Sequence, residues 1–105
     1  MTDASAAEFL LKLEDIIQAR LKDPSQSSYT ARLASEGISR VAQKVGEEAV
    51  EVAIASVAGT DPDEVKNEAA DLIYHLLLLL SVQGISLNEV AALLNGRHQA
   101  RSGKA

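Results

Sequence analysis

The chain has no cysteine, few aromatic residues and no long run of basic residues. Without cysteine it can form neither a disulfide framework nor a thiolate metal site, which fits a reducing cytoplasm. Aromatic residues make up only 3% of the chain, which argues against the aromatic stacking platforms of single-strand nucleic-acid binders. The formal net charge is −5, which argues against duplex nucleic acid as a partner.

No segment of the sequence is suited to spanning a membrane. The longest apolar run, Leu76 to Leu80 with its neighbours, is far shorter than the roughly 20 residues that a membrane helix needs. The segment from Met1 to Glu8 carries acidic residues and lacks the apolar core of a secretory signal. We therefore expect a cytoplasmic protein with no membrane partner.

Aliphatic residues are what the chain has in abundance. Apolar residues make up 47% of it, and Leu, Ala, Val and Ile dominate, which is typical of an all-α helical bundle. A length of 105 residues suits one domain, taken as residues 1–105. Because a monomer of this size buries only roughly two thirds of its unfolded surface, we expect a second copy to complete the bundle as a homodimer.

Hydrophobic spacing predicts four to five antiparallel helices. Their predicted bounds are Ser5–Lys22, Tyr29–Ser35, Ser39–Ala58, a long helix capped by Thr60 or Asp61 and reaching Gln83, and a helix from the Ser86–Glu89 capping box to Leu94. Gly59, Gly84 and Gly96 are expected helix ends, and 97–105 a disordered tail. The expected inner side of the third helix comprises Val41, Val45, Ala49, Val52 and Val57. From Leu72 to Val82 the long helix is apolar nearly all round, so we expect neighbours on every side.

Five acidic residues in two clusters carry the strongest functional signal. Glu47, Glu48 and Glu51 form the first cluster, and Glu68 and Asp71 form the second. Members of each cluster stand three or four positions apart and so project from one face of a helix. Both clusters lie in apolar sequence, where a carboxylate is costly unless a cation meets it. Two such faces brought together would form a site for a hard divalent cation, and Mg²⁺ suits it best.

Each acidic cluster also has an ordinary structural explanation. A solvated helix face would account for the first, but its neighbours are mostly small and apolar, and Lys44 is not spaced to pair with all its acids. Glu68 and Asp71 could serve the positive end of a helix, but Asp63 and Glu64 already occupy its first turn. Carboxylates that converge without a cation would repel, and some would take up protons. Mg²⁺ that is bound by carboxylates and by the phosphate oxygens of a substrate supports hydrolysis of a phosphoanhydride bond.

The segments Glu47-Glu48-Ala49-Val50-Glu51 and Glu68-Ala69-Ala70-Asp71 resemble the E-E-x-x-E and E-x-x-D signature of the all-α nucleotide pyrophosphohydrolases. Three more stretches narrow the resemblance to the phosphoribosyl-ATP pyrophosphohydrolase family of histidine biosynthesis. They are Ser28–Leu33, Ala42–Glu48 and Asp71–Leu76. The resemblance extends over most of the chain, from Phe9 to His98.

The resemblance implies a reaction, a cofactor and an assembly. In the family, phosphoribosyl-ATP and water give phosphoribosyl-AMP and pyrophosphate, the second step of histidine biosynthesis, with Mg²⁺ and as a homodimer. Position by position, the acids that match the metal ligands are Glu48, Glu51, Glu68 and Asp71. Catalysis is assigned to Glu47 and Glu48, with Glu47 beside the metal or activating water. Some relatives are fused to a cyclohydrolase for the next step, which we expect here to be a separate protein.

Five further residues are candidates for substrate binding. They are Lys44, Arg32, Tyr29, Ser28 and His75. Lys44, one turn before the acids, could reach a phosphate, and Arg32 could clamp one through two hydrogen bonds. His75 lies four positions beyond an acid and could face the site. The structural alternatives are a surface lysine for Lys44, a salt bridge for Arg32, loop packing for Tyr29 and Ser28, and a core histidine for His75.

Three other functions compete with this hypothesis. A house-cleaning nucleoside triphosphate pyrophosphatase would share the acidic signature, although the stretch from Tyr29 to Leu33 favours the histidine-pathway substrate. A di-iron bundle usually needs Glu-x-x-His on each of two helices, and neither histidine follows a glutamate by three. A non-catalytic helical dimerisation module would make the acids dispensable.

Overall fold

Helices account for nearly all of the chain that the structure describes. The computed structural model describes residues 4–23, 25, 28–59 and 61–102. The helices are α1 (Ala4–Leu21), α2 (Tyr29–Ser35), α3 (Ile38–Ala58), α4 (Pro62–Val82) and α5 (Leu87–Ser102), and these described residues contain no strand. The prediction of an all-α fold with about five helices is therefore confirmed, and the predicted bounds of the first four helices agree within one or two residues.

The two longest helices, α3 and α4, form an antiparallel hairpin that is the centre of the fold. Gly59 ends α3 in the left-handed conformation, with φ of 63°, and its N–H donates to the carbonyl of Ala55. Asp61 then caps α4 by accepting a hydrogen bond of 3.0 Å from the N–H of Asp63, and Pro62 occupies the first turn. These local signals confirm the predicted break, whereas the alternative cap Thr60 lies outside the described residues.

The core lies where α1 and α2 cover one side of this hairpin. It is built from one residue each of α1, α2 and α3 and two of α4, namely Ile17, Leu33, Val41, Leu77 and Leu78. These α3 and α4 residues belong to the beginning of α3 and the end of α4. The acid-bearing segments of both helices therefore lie beside the core, on the way to the turn that joins the two helices.

The opposite face of the hairpin is apolar but uncovered in the single chain. Ile54 is 63% exposed and Leu76 is 41% exposed, so α4 is not surrounded by this chain alone. The predicted inner side of α3 is wrong at Ala49, which is exposed, and at Val57, which is 88% exposed. Val57 follows the buried Val41 by 16 positions, which is about four and a half turns at 3.6 residues per turn. It therefore points away from the core.

The last helix is longer than its sequence signals indicate. Its start is confirmed: the N–H of Ser86 donates to Glu89 Oε1 at 2.7 Å, and the N–H of Glu89 donates to Ser86 Oγ at 3.1 Å. The predicted end at Gly96 is wrong, and the predicted disordered tail is helical over 97–102. A glycine within a helix costs about 1 kcal/mol relative to alanine but does not stop it, and the neighbouring Ala, Leu, Arg and Gln residues favour helix. Residues 103–105 lie outside the described ranges.

A sharp bend separates α4 from α5. Gly84 has a φ of 73°, and the N–H of Ile85 donates to the carbonyl of Leu80 at 3.0 Å, which closes the end of α4. In the part of the chain described here, no single helix is long and apolar enough to cross a membrane, although α4 and α5 taken as one pair bent by 106° meet that length and composition.

Candidate active site

The two acidic clusters meet across the contact between α3 and α4. The pKa of Glu68 is raised above its ordinary value, first because its carboxylate loses surrounding water, and then because negative charges face it. These charges belong to Glu51, Asp71 and Glu48, and Glu51 also shares a side-chain hydrogen bond with Glu68. Three of the four predicted metal ligands therefore lie close enough to the fourth, Glu68, to oppose its ionisation.

Glu48 is the innermost of these acids and is held by a histidine. The residue is 7% exposed, and its Oε1 lies 2.9 Å from Nδ1 of His75. The same Nδ1 lies 2.9 Å from the backbone carbonyl oxygen of Asp71, one turn earlier on α4. Since both of these oxygens accept hydrogen bonds when Glu48 is ionised, Nδ1 carries the proton and donates it to them.

The other nitrogen of His75 contacts the helix α2. The hydroxyl of Tyr29 lies 2.8 Å from His75 Nε2. With the proton of the neutral ring on Nδ1, Nε2 accepts, and the hydroxyl of Tyr29 donates. A chain of hydrogen bonds therefore runs from Tyr29 through His75 to Glu48 and joins three helices.

Tyr29 also lines a cleft that is rich in positive charge. The cleft has a volume of about 260 Å³, and its lining comprises Tyr29, Arg32, Leu33, Glu36, Arg40 and Lys44. Glu36 supplies the one acidic group in this lining and lies 3.3 Å from Nε of Arg40. Cationic side chains of this kind bind phosphate oxygens. Tyr29 and His75 connect the cleft to Glu48, so the cationic cleft lies next to the cluster of acids.

Arg40 is a residue of this cleft that the sequence analysis missed. It precedes Lys44 by four positions and so lies on the same face of α3. That spacing was available in the sequence. The sequence does not show that α2 packs beside this face of α3. That packing brings Arg32 and Tyr29 next to Arg40.

Two predicted site residues have partners outside the group of four acids. Ser28 caps α2, because its Oγ accepts a hydrogen bond of 3.0 Å from the N–H of Ala31. Glu47 is exposed and accepts a hydrogen bond of 2.9 Å from Nε2 of Gln43, and it is not among the charges that raise the pKa of Glu68. Together with Glu51, Glu47 lines a groove with a volume of about 600 Å³.

The chemistry of the four acids fits a hard divalent cation. Over the described ranges, no three acidic or histidine side chains are arranged so that they could hold a metal ion as they stand. The carboxylates would therefore have to turn toward a common point. Mg²⁺ does not require a full cage of protein ligands, since it keeps several waters and takes a few carboxylates together with substrate phosphates. The carboxylates of the four acids offer only oxygen ligands and carry negative charge, which are the properties that Mg²⁺ requires of its protein ligands.

Comparison with known proteins bears on the identity of this site. The family model for phosphoribosyl-ATP pyrophosphohydrolase matches residues 10–98. A phosphoribosyl-ATP pyrophosphatase of Pyrobaculum islandicum is 51% identical over 92 residues, which cover 88% of this chain and 97% of that protein. The phosphoribosyl-ATP pyrophosphatase of Pyrobaculum neutrophilum has the same identity and coverage.

Longer relatives contain a matching part. The histidine biosynthesis bifunctional protein HisIE of Shewanella oneidensis is 48% identical over 97 residues, which cover 92% of this chain and 46% of that protein. The chain therefore spans about half the length of this bifunctional relative. With a family model matched over most of its length and close relatives of its own size, the chain belongs to the phosphoribosyl-ATP pyrophosphohydrolase family.

Proposed function

We propose that this chain hydrolyses phosphoribosyl-ATP to phosphoribosyl-AMP and pyrophosphate in histidine biosynthesis, with Mg²⁺ as its cofactor. The observation that carries the proposal is the proximity of Glu48, Glu51 and Asp71 to Glu68 across α3 and α4, where their negative charges add to desolvation in raising the pKa of Glu68. Its relatives named phosphoribosyl-ATP pyrophosphatase support the choice of substrate. The neighbouring cationic cleft supports the choice of a phosphorylated substrate.

The site divides the work between two groups of side chains. In the cleft, Arg40 and Lys44 bind phosphate oxygens, and Arg32 supplies a further guanidinium. The carboxylates that would hold Mg²⁺ are those of Glu48, Glu51, Glu68 and Asp71. When bound, Mg²⁺ supplies positive charge against the negative triphosphate. The protein's own contribution is to orient the triphosphate between cations and carboxylates.

Hydrolysis opens the anhydride between the α and β phosphates. A water oxygen forms the new bond to phosphorus, the bridging P–O bond breaks, and pyrophosphate leaves. A carboxylate accepts the proton that the water loses, which is general base catalysis. Glu47 and Glu48 are the acids that we assign to this step. Glu47 is exposed and could reach the water through the groove beside Glu51.

A substrate panel tests the proposal. Phosphoribosyl-ATP, ATP, GTP and dUTP are each incubated with the protein in Mg²⁺ and in EDTA, and pyrophosphate release is measured. We expect release from phosphoribosyl-ATP in Mg²⁺ and none in EDTA. A higher kcat/KM for a free nucleoside triphosphate would instead favour a house-cleaning pyrophosphatase. Equal release in EDTA would contradict the role of Mg²⁺.

We further propose that two copies of the chain pair through the uncovered face of the hairpin. A groove there of about 410 Å³ is lined by Ala53, Ile54, Val57 and Ala58, none of which carries a polar side chain. Covering such a surface releases water from apolar groups and favours association. Sedimentation velocity should give a dimer for the wild type and a monomer for Ile54→Asp. A monomeric wild type at micromolar concentration would contradict the dimer.

A further inference from the structure

His75 stands at the junction of three helices. It belongs to α4, where Nδ1 lies 2.9 Å from the carbonyl oxygen of Asp71. Nδ1 also reaches Glu48 on α3, and Nε2 reaches Tyr29 on α2. His75 is 7% exposed, so its ring is largely shielded from competing water.

The orientation of the ring is determined on both sides. Two acceptors face Nδ1 and require its proton, and the hydroxyl of Tyr29 faces Nε2. The rings of Tyr74 and Tyr29 meet the imidazole edge-on, with centroids at 5.2 and 5.8 Å. The hydroxyl of Tyr74 does not take part in the hydrogen bonds from Tyr29 through His75 to Glu48, because it hydrogen-bonds to Thr30 Oγ1. The imidazole is therefore held in one tautomer and one position.

The contact with His75 has a consequence for Glu48. One of its carboxylate oxygens, Oε1, accepts from Nδ1 of His75, and the other, Oε2, is not engaged by that ring. A carboxylate anchored through one oxygen keeps its second oxygen in a fixed direction. We propose that His75, itself held by Tyr29, is a positioning residue that presents Glu48 to the divalent cation, an inference that rests on the proposed metal-dependent hydrolysis. Neither His75 nor Tyr29 then needs to touch the cation or the substrate.

The proposal predicts a defined effect on metal affinity in the absence of substrate. Hydrogen-bond partners that orient a metal ligand are typically worth 10–100-fold in metal affinity. Mn²⁺ is the probe, and its free concentration is measured by electron paramagnetic resonance in titrations of the apoprotein. We expect His75→Gln to weaken Mn²⁺ binding by about 10–100-fold, because the glutamine amide occupies the place of Nε2 and leaves Glu48 without its donor.

A matched variant separates positioning from bulk structure. In His75→Asn the side-chain amide nitrogen takes the place of Nδ1 and can still donate to Glu48, so we expect most of the Mn²⁺ affinity to return. Tyr29→Phe should weaken binding less than His75→Gln, since the ring keeps its contact with Glu48. Tyr74→Phe removes a neighbouring hydroxyl that does not touch His75 and should leave the Mn²⁺ affinity as in the wild type. Circular dichroism checks that each variant is folded.

The tautomer of His75 provides a test that needs no substitution. Long-range proton–nitrogen spectra of the ¹⁵N-labelled apoprotein should show the neutral ring protonated at Nδ1. A neutral ring with its proton on Nε2 instead of Nδ1 would overturn the proposal. So would a folded His75→Gln that binds Mn²⁺ as tightly as the wild type, or an affinity in His75→Asn no better than in His75→Gln.

Failure of the inference is distinguishable from failure of the proposed function. Wild-type protein that binds Mn²⁺ but releases no pyrophosphate from phosphoribosyl-ATP would contradict the proposed reaction, while the tautomer and affinity results would still support the role of His75. Conversely, full wild-type turnover combined with unchanged Mn²⁺ affinity in His75→Gln would leave the reaction in place and remove the positioning role.

Discussion

Glu51 and Glu68, on neighbouring antiparallel helices, share a side-chain hydrogen bond. Two carboxyl groups can form such a bond only if one of them carries a proton. Burial and the charges of Glu48 and Asp71 favour that proton on Glu68. Glu68 therefore keeps its proton to higher pH than an ordinary glutamate does, and a bound cation would favour loss of that proton.

Replacing Glu51 should separate catalysis from stability. Glu51→Gln removes a proposed ligand of Mg²⁺, and we expect turnover of phosphoribosyl-ATP to fall by more than about 100-fold, beyond the usual loss for partners that only orient a ligand. The melting temperature of the apoprotein should rise, because one repelling charge disappears and the glutamine amide can donate to Glu68. Steady-state kinetics and thermal denaturation in EDTA measure the two effects. Unchanged turnover, or a sharply lower melting temperature, would contradict the metal site.

An exposed acid provides the control for this substitution. Glu64 lies in the first turn of α4 and does not contribute to the raised pKa of Glu68. Glu64→Gln should leave turnover as in the wild type. A comparable loss in both variants would mean that general surface charge, rather than the converging acids, determines the rate.

Stability of the apoprotein should depend on pH through Glu68. Because the folded-state pKa of Glu68 is raised, the folded protein binds more protons than the unfolded chain between the ordinary glutamate pKa of 4.5 and that higher value. Stability therefore falls as pH rises through this window. The penalty is absent below the window and fully present above it. Glutamine at position 68 stays neutral at every pH in this window. The stability of Glu68→Gln relative to the wild type should therefore increase with rising pH.

The pH dependence is measured as the difference in unfolding free energy between Glu68→Gln and the wild type, from urea denaturation in EDTA. Taking the difference cancels the titration of the carboxyl groups that do not interact with Glu68. A difference that stays constant from pH 4 to pH 8, or that changes in the opposite direction, would show that Glu68 ionises in the folded protein as it does in the unfolded chain.

Binding of Mg²⁺ should stabilise the folded protein. A ligand that binds only the folded state adds about 2.7 kcal/mol to the unfolding free energy at 100 times its dissociation constant. The melting temperature of the wild type should therefore rise with MgCl₂ concentration, and that of Glu51→Gln should not. NaCl at the same ionic strength is the control. An equal rise in NaCl would indicate charge screening instead of a specific site.

The cationic cleft should contribute to substrate affinity rather than to metal affinity. Lys44 lines the cleft, and loss of a hydrogen bond from a charged group costs about 1.5–3 kcal/mol. Lys44→Gln should therefore raise KM for phosphoribosyl-ATP by about tenfold or more and leave Mn²⁺ affinity unchanged. Lys66→Gln is the matched control, because Lys66 is an exposed lysine of α4 that pairs with Asp63. A KM for Lys44→Gln equal to that of Lys66→Gln would remove Lys44 from the substrate site.

Much of the helix pattern could be predicted because its signals are local. Gly59 ends α3 and Asp61 caps α4 through contacts with residues a few positions away. The capping box of Ser86 and Glu89 is equally local. Local signals also failed where they were weak: Gly96 lowers helix propensity but lacks a conformation that would end the helix, so the preference of its neighbours prevailed.

The sequence by itself determined the type and spacing of the acids, and with them the family, whereas a hard divalent cation at these acids stays a prediction. Tertiary structure decided which side chains meet. Tyr29 and His75 are 46 positions apart, and Glu48 and His75 are 27 apart, so no helical period relates them. Their hydrogen bonds exist because the core packs α2 against α3 and α4. Packing of this kind depends on the summed burial of apolar side chains from distant segments, which no single stretch of sequence encodes.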